Sequence, residues 1–255
     1  MFHWLLRNIP RPILIQVSLL FSKIAPFVYA GNKYEDPISG KTYRKFLPYG
    51  YSGRAKRKNV LCPGSLSLER HRLLWLFLKN KTDFFTAPHK MLHIAPEQCF
   101  YKLFKAMKNL TYTTADLNSP IADVKMDLHH APFKDNSFDV IFCNHVLEHV
   151  DNDKQCMREL FRVMSIGGWG IFQVPMDITC QTTYEDKSIT TPEAREEHFW
   201  QKDHLRLYGL DYKNRLEEAG FTVIADDYTN SFSAEMIDRY RLPKGELIYL
   251  CKKIV

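Results

Sequence analysis

The segment from Asp127 to Pro175 most constrains what this chain can fold into. It contains an apolar run, Val140 to Cys143, that is typical of a buried strand, and the polar pair Asn144-His145 follows directly. An amphipathic stretch, the pair Gly167-Gly168 and a second apolar run come next. Strand, helix, glycine turn and strand form the unit of a doubly wound α/β sheet. Ligands of such sheets bind at the carboxyl ends of the strands, where Asn144 and His145 are predicted to lie.

The composition fits one α/β domain with a small extension. The 255 residues are 45% hydrophobic, which is enough for a packed core. The six cysteines show no paired spacing, which favours free thiols in a reducing cytoplasm over a disulfide framework. Residues 1–60 carry eleven Lys or Arg against Glu35 and Asp36, whereas the remainder is slightly acidic. We therefore predict a basic N-terminal extension, residues 1–60, before a main domain, residues 61–255.

The first thirty residues are amphipathic. Trp4, Leu5, Leu6 and Ile9 alternate with Arg7 and Arg11, and an apolar run from Ile13 to Phe21 follows. The run is too short and too interrupted for a bilayer-spanning helix, and Lys23 and Pro26 argue against a signal peptide. Peripheral contact of residues 1–30 with an anionic membrane is one interpretation. A helix that packs on the domain or mediates dimerisation is the other.

Several motifs together resemble one enzyme family. They are the Asp-Leu and Ala-Pro-Phe turn after residue 126, the Ser-Phe-Asp-Val strand, the Leu-Glu-His segment and the sequence RVMSIGGWGIFQVP. Across residues 61–255 the chain resembles the class I S-adenosylmethionine (SAM)-dependent methyltransferases. The resemblance implies a Rossmann-like, doubly wound, mostly parallel sheet of seven strands. It also implies a methyltransferase that uses SAM as its cofactor.

Some bacterial relatives of this type have two Cys-Pro-x-Cys-Gly sequences near the amino end, which resemble a small zinc ribbon. Here Asp36 and Ser39 stand at the first pair, and only Cys62 remains of the second. One thiolate cannot complete a four-ligand zinc site, so we predict no zinc and expect Tyr43, Phe46, Leu47 and Tyr49 to fill the space. Metal-assisted deprotonation by the Asp- and His-containing loop after the fifth strand is an open alternative, but that loop has no recognisable ligand spacing, and no bound metal is predicted.

The resemblance implies a set of cofactor-binding residues at four strand ends. The first turn departs from the usual acidic residue and Gly-x-Gly, because His93, Ala95 and Glu97 stand at those positions. Asp116, followed by Leu117, matches the acidic residue that binds both ribose hydroxyls. The other implied contacts are the Asp127 carboxylate and Leu128 amide with adenine, and Asn144 beside the methyl group. An arginine at the start of a preceding helix, Arg70 or Arg72, is a further candidate, for the methionine carboxylate.

Methyl transfer requires alignment above all, and an oxygen or nitrogen nucleophile also requires a base near neutral pKa. Histidine is suited to that role. The sequence offers His204, with Asp203 as its partner, in the stretch after the fifth strand, and His145 as the alternative. His149 follows His145 by four residues.

Three functions remain open at this point. The first is transfer of a methyl group to a small or lipid-linked acceptor, such as a glycan or envelope precursor, by a cytoplasmic enzyme at the inner face of the membrane. The second is RNA methylation, for which the basic run from Arg54 to Lys58 could contact phosphates; it ranks lower because no RNA-binding module is evident. The third is a non-catalytic scaffold, suggested by the missing glycines but opposed by Asp116 and Asp127.

Overall fold

The computed structural model describes residues 11–50 and 57–255, with side chains from residue 20 onward. Two compact units divide the chain: one within Met1–Asp83 together with Asp227–Glu246, and one of Phe84–Asp226 with Leu247–Val255. We call them the N-terminal unit and the sheet unit. The first ten residues of the amphipathic segment and residues 54–56 of the basic run lie outside the described residues.

The elements follow in chain order. The N-terminal unit contributes α1 (Arg11–Val28), β1 (Ala30–Asp36), β2 (Lys41–Tyr43), β3 (Leu47–Tyr49), β4 (Arg57–Leu61) and α2 (Glu69–Lys81). The sheet unit contributes β5 (His89–Ile94), α3 (Gln98–Ala106), β6 (Leu110–Asp116), β7 (Val124–Lys125), β8 (Phe138–Cys143), α4 (Asp153–Val163), β9 (Met164–Ile171), α5 (Pro192–Phe199), α6 (Tyr212–Glu218) and β10 (Thr222–Asp226). Helix α7 (Ala234–Tyr240) belongs to the N-terminal unit, and β11 (Ile248–Lys252) returns to the sheet. Short 3-10 helices span Leu128–His130 and Tyr228–Ser231.

The sheet unit has the predicted architecture. Its seven strands lie in the order β10-β11-β9-β8-β5-β6-β7. Only β11 runs antiparallel to its neighbours; the other strand pairs are parallel. The predicted seven-stranded, mostly parallel, Rossmann-like sheet is therefore confirmed. Chain order reverses between β5 and β8, and ligands of such sheets bind beyond the carboxyl ends at that point.

The central strands and α4 form the core that holds this edge in place. Four consecutive residues of β8, from Val140 to Cys143, are completely buried, as expected for a strand covered on both faces. Helix α4 buries Cys156, Met157 and Leu160 along one side, and the side chain of its N-cap residue, Asn152, accepts a hydrogen bond from the Gln155 amide. The six cysteines are all free, which agrees with the prediction.

Two sequence expectations within the sheet unit were wrong. Gly167-Gly168 does not form a turn before the strand, because β9 starts at Met164 and includes both glycines at an irregularity in its pairing with β8. The apolar spacing of Leu210, Tyr212, Leu216 and Ala219 favours a helix over residues 207–219, but α6 starts only at Tyr212. Leu207 instead pairs with Tyr184 through two backbone hydrogen bonds of 2.9 Å, so tertiary pairing overrides the helical periodicity.

In the N-terminal unit, hydrogen bonds around Asp36 occupy the place where the resembled proteins have their Cys-Pro-x-Cys sequences. The buried Asp36 carboxylate accepts from the Ser39 hydroxyl at 2.6 Å and from the Ser67 hydroxyl at 3.1 Å. Tyr43 and Phe46 are buried beside Cys62, as expected. Leu47 and Tyr49 are not buried, so the expected apolar filling was wrong in part: the centre of the former ligand positions is polar.

Arg72 in α2 is completely buried and makes hydrogen bonds with all of its N–H groups inside the N-terminal unit. Its carbonyl partners belong to Val60, Ser67, Tyr240 and Arg241. Burial lowers the pKa of Arg72 to about 10, so the guanidinium remains charged at neutral pH. With its donors satisfied, Arg72 is not available for a ligand carboxylate, and that suggestion was wrong.

Replacing this guanidinium should strongly destabilise the protein. We expect Arg72→Met to lower the free energy of unfolding by about 3–5 kcal/mol, because it leaves several buried carbonyl oxygens without donors. Urea denaturation of the full chain measures the change. Arg239→Met is the matched control: Arg239 lies in α7, is 44% exposed and pairs with Glu35, so its loss should cost less than about 1 kcal/mol. Equal effects of the two substitutions would contradict the assignment.

Within the described residues, no helix is both long enough and apolar enough to cross a bilayer. The exposed side chains of α1 include Leu20, Ile24 and Phe27, of which Phe27 is 83% exposed.

Candidate functional site

Most of the predicted cofactor residues lie along one edge of the sheet. Asp127 follows β7, Asp116 ends β6, Ala95 and Glu97 follow β5, and Asn144 follows β8. Because these four strands are parallel neighbours, their carboxyl ends form a continuous edge about 14 Å wide at 4.8 Å per strand. His93 is the penultimate residue of β5 and is completely buried.

A chain of hydrogen bonds at the unusual first turn joins β6, β5 and the residue that follows β8. The Tyr112 hydroxyl lies 2.8 Å from His93 Nδ1, and His93 Nε2 contacts a Glu97 carboxylate oxygen. Burial raises the pKa of Tyr112, so the phenol stays protonated and donates to Nδ1, which leaves Nε2–H to donate to Glu97. Asn144 Nδ2 donates to the other Glu97 oxygen at 3.0 Å. His93 is therefore a buried support that fixes the Glu97 carboxylate at the edge.

The backbone of this turn adopts a left-handed conformation, for which glycine is usually needed. Ala95 has φ +47°, the left-handed region, and its amide donates to the Ala115 carbonyl at 2.8 Å. Alanine is the smallest residue that carries a Cβ, so a ligand can approach this backbone nearly as closely as at glycine. The turn is thus a glycine-poor version of the same geometry.

Asp116 has one oxygen engaged and one available. Its Oδ1 accepts from the amides of Asn118 and Ser119 at 2.7 and 2.6 Å, while Oδ2 makes no hydrogen bond within the described residues. Leu117 beside it is 55% exposed. The turn therefore fixes the carboxylate through Oδ1 and leaves Oδ2 able to accept a hydrogen bond from a ligand.

Asp127 caps the 3-10 helix Leu128–His130. Its Oδ1 accepts from the His129 amide at 3.0 Å and lies 2.6 Å from His129 Nδ1. These hydrogen bonds from His129 lower the pKa of Asp127 and keep it ionised. Leu128 is buried, so only its backbone can face a ligand.

A second group of polar side chains lies just beyond the end of β8, and we call it the histidine–glutamate cluster. It contains His145, Glu148, His149 and His204. His145 Nδ1 lies 3.4 Å and His149 Nε2 3.9 Å from Glu148 Oε1, and the His149 and His204 rings meet edge to face with centroids 4.8 Å apart. Glu148 and His204 are each 1% exposed. The predicted His145 and His204, distant in sequence, thus lie around one buried carboxylate.

Charge at the cluster is set by burial and by close contacts. Burial acts to raise the pKa of Glu148, but the hydrogen bond and charge of His145, with the charge of His149, hold that pKa below its usual value. Burial lowers the pKa of His204, so this imidazole is neutral at pH 7. Asp203 is exposed, and both its backbone carbonyl, at 3.2 Å, and its carboxylate Oδ2, at 3.4 Å, lie beside His149 Nδ1.

Residues 89–172 match the family model described as a methyltransferase domain. The matched region runs from β5 to β9. It includes the edge residues and three members of the histidine–glutamate cluster: His145, Glu148 and His149. The chain therefore carries a methyltransferase domain over residues 89–172. It is an enzyme, and S-adenosyl-L-methionine is its cofactor.

Similar solved structures include a proposed methyltransferase from Bacillus halodurans, with 16% identity, 72% of this chain and 99% of that chain covered, and a TM-score of 0.47. A SAM-dependent methyltransferase from Mesorhizobium loti has 13% identity, coverage of 71% and 98%, and a TM-score of 0.46. The YcgJ protein from Bacillus subtilis has 18% identity, coverage of 71% and 94%, and a TM-score of 0.44. No curated protein matches the chain.

The edge residues of this methyltransferase fit SAM. Asp116 Oδ2 is a charged acceptor without a partner in the described residues, which suits a ribose diol. The Glu97 carboxylate provides negative charge near the place where an amino acid ammonium would lie. Asp127 provides a second acceptor at the end of the edge. SAM supplies an electrophilic methyl group when bound; the assignment of each contact remains a prediction.

Sequence reasoning missed Glu148. It lies in the Leu-Glu-His segment, where the family motif is typical of the start of a helix, whereas α4 starts only at Asp153. The spacing His145-x-x-Glu148-His149 was the available signal, because a turn after a strand can direct three such side chains inward. The sequence does not show that His204 lies beside Glu148 and His149; the fold does.

Arg206 links the loop after β8, which carries Glu148, to the segment that carries His204. It is 3% exposed and donates to the Leu147, Val150 and Asp151 carbonyls at 2.5–2.9 Å. The Leu205 amide donates to the Glu148 carbonyl at 2.8 Å. The loop after β8 is therefore held to the segment that carries His204.

We expect Arg206→Lys to loosen this loop, because one ammonium group cannot reach the carbonyls that a guanidinium fork spans. Hydrogen exchange of the Leu205 and His149 amides should become at least about tenfold faster, equivalent to about 1.4 kcal/mol. Binding of S-adenosylhomocysteine should remain unchanged. Arg158→Lys, on the exposed side of α4 where Arg158 contacts Gln155, serves as the control. Unaltered exchange in Arg206→Lys would show that the loop is held by other contacts.

Proposed function

We propose that this enzyme methylates an oxygen or nitrogen atom of a small or lipid-linked acceptor, with His145 as the general base. The observation that carries the proposal is the pairing of His145 with the buried Glu148 directly after Asn144. The methyl group of bound SAM is expected beside Asn144, so a base at the next residue would lie close to the acceptor atom.

The state of His145 supports this role. Its Nδ1 faces Glu148, while its Nε2 is buried without a hydrogen-bond partner in the described residues, and the side chain is 26% exposed. The backbone adopts φ +55°, and its amide donates to the Gln173 carbonyl at 2.7 Å. Holding a non-glycine residue in this region costs roughly 1–3 kcal/mol, and such strain is common at functional sites.

The proposed step balances with one proton and one electron pair. The acceptor O–H or N–H gives its proton to His145 Nε2, and its lone pair attacks the methyl carbon. The C–S bond breaks, and its electron pair returns to sulfur, which leaves neutral S-adenosylhomocysteine. Glu148 stabilises the imidazolium that forms. General base catalysis of this kind contributes typically 10²–10⁴-fold.

We assign supporting roles to the other predicted catalytic residues. His204 is too deeply buried to meet an acceptor directly, and its ring packs against His149. Asp203 acts on His149 through its backbone carbonyl and its carboxylate. Both would position the cluster rather than exchange the proton with the acceptor.

The lipid-linked form of the proposal rests on the apolar side chains of α1. Leu20, Ile24 and Phe27 are each more than half exposed, which would favour peripheral contact with the inner face of the membrane. Vesicles with and without anionic lipid test this part. Binding that does not change after Phe27→Ser and Ile24→Ser would rule it out.

The main experiment identifies the acceptor class. Purified enzyme and SAM with a radiolabelled methyl group are incubated with the small-molecule, lipid and RNA fractions of a cell lysate. Label in the small-molecule or lipid fraction, lost in His145→Ala, supports the proposal. Label in RNA would favour RNA methylation instead. No transfer by folded protein that binds S-adenosylhomocysteine would favour a scaffold.

A further inference from the structure

Three side chains of the histidine–glutamate cluster have the arrangement of metal ligands. One ligand atom each from Glu148, His149 and His204 lies within 4.8 Å of the others. An ion about 2.1 Å from each would separate these atoms by about 3.0–3.5 Å. A separation at the 4.8 Å limit would therefore have to close by about 1.3–1.8 Å. His149, whose side chain is 34% exposed, has room for this rotation.

The second contacts of both histidines fix the tautomer that a metal requires. His204 Nδ1 lies 2.8 Å from the Phe199 carbonyl, and His149 Nδ1 lies 3.2 Å from the Asp203 carbonyl. A carbonyl oxygen only accepts, so each Nδ1 carries the hydrogen. Each Nε2 then has a free lone pair on the side of Glu148. Metal-binding histidines almost always have such a carbonyl or carboxylate partner behind them.

The interior of the cluster contains two polar atoms without a partner among the described residues. Glu148 Oε2 and His204 Nε2 are buried and have no hydrogen-bond partner within the described residues. Leaving a buried polar atom unpaired costs about 1–3 kcal/mol, and more for a charged group. The two atoms belong to side chains that are each 1% exposed. A divalent ion would satisfy both at once.

We propose that Glu148, His149 and His204 bind one divalent transition-metal ion. Two imidazoles and one carboxylate suit the borderline ions Zn²⁺, Mn²⁺ and Fe²⁺ better than Mg²⁺ or Ca²⁺. Three protein ligands leave coordination positions open, as in catalytic rather than structural sites. Glu148 would bind the ion through Oε2 and keep Oε1 for His145. This revises the expectation from sequence that the chain binds no metal.

The role of the ion rests on the proposed function. A hydroxyl or amine acceptor that occupies an open position would become more acidic, because the ion withdraws electron density from the bound atom. His145 Nε2 would then remove its proton before attack on the methyl carbon. The ion is not consumed. The substrate class is narrowed to acceptors with an oxygen or nitrogen atom that can bind a metal, such as a phenol, an enol or a hydroxylated ring.

The test measures metal binding independently of methyl transfer. Full-length protein is stripped with chelator, dialysed against Zn²⁺ or Mn²⁺ and analysed for metal content and X-ray absorption. We expect one ion per chain with two imidazole ligands. His149→Ala, at a partly exposed position where the fold should tolerate it, and Glu148→Gln should each weaken binding by more than about 100-fold. The control, His198→Ala, removes an exposed histidine of α5 and should bind normally.

Each result has a definite meaning. Failure of folded wild-type protein to bind either ion, or binding that survives both ligand substitutions, would overturn the metal site. Methyl transfer by metal-free protein would overturn the role of the ion but leave the proposed function intact. An ion bound as expected, with no methyl transfer to any fraction, would sustain the site and count against the proposed function.

Discussion

Asp116→Ala is expected to reduce the affinity for S-adenosylhomocysteine by at least about 100-fold. A hydrogen bond to a charged group contributes about 1.5–3 kcal/mol, and the Asp116 carboxylate can accept two from a ribose diol. The substitution also removes the acceptor that orders the Asn118 and Ser119 amides. Calorimetric titration measures the dissociation constant directly.

Two further variants separate these contributions. Asp116→Asn keeps an oxygen for the two amides but replaces the second oxygen with a donor, so we expect an intermediate loss of about 10- to 100-fold. Asp139→Ala removes a carboxylate that also accepts from an amide, that of Lys90, but lies at the amino end of β8. It should leave affinity within about threefold of wild type. If Asp116→Ala binds normally, the ribose site lies elsewhere.

His145→Ala is expected to lower the rate of methyl transfer by about 10²–10⁴-fold at saturating SAM, while the affinity for SAM changes little. The acceptor fraction identified with wild-type enzyme serves as substrate. Added imidazole should restore part of the lost rate, because the substitution leaves a space of the right size beside Glu148. A purely structural histidine would not respond to imidazole.

His89→Ala is the control for this experiment, because His89 lies at the amino end of β5, where it contacts Phe84 and Trp169. Its rate per folded molecule should match that of wild type. A His145→Ala enzyme that keeps more than half of the wild-type rate would remove His145 as the base. His204→Ala would then be the next variant to measure.

The sheet could be predicted from sequence because its determinants are local. The buried run of β8, the amphipathic α4 and an acidic residue after β6 each indicate their own element. The pattern was less informative where distant segments meet: Leu207 has helical spacing, yet it pairs with Tyr184. The first turn likewise lacked its glycines, and only the structure shows that His93 supports Glu97 from behind.

The candidate site was predictable only in part, for the same reason. His145 and His204 were chosen because histidine suits proton transfer, and the fold brings both to Glu148. Glu148 itself could not be singled out, because an isolated glutamate in an amphipathic stretch is usually a solvent-exposed residue. Its burial depends on the return of the chain at Leu205, about fifty residues later.

The position of β11 has a consequence for how the protein is made. This strand lies between β9 and β10, so the sheet has a gap until residue 252 has been synthesised. The N-terminal unit is also incomplete until residue 246 has been synthesised, because Asp227–Glu246 belongs to it. Neither unit can finish folding before these segments have been synthesised. A ribosome that stalls near residue 226 would therefore hold two incomplete cores, which chaperones and proteases are expected to recognise.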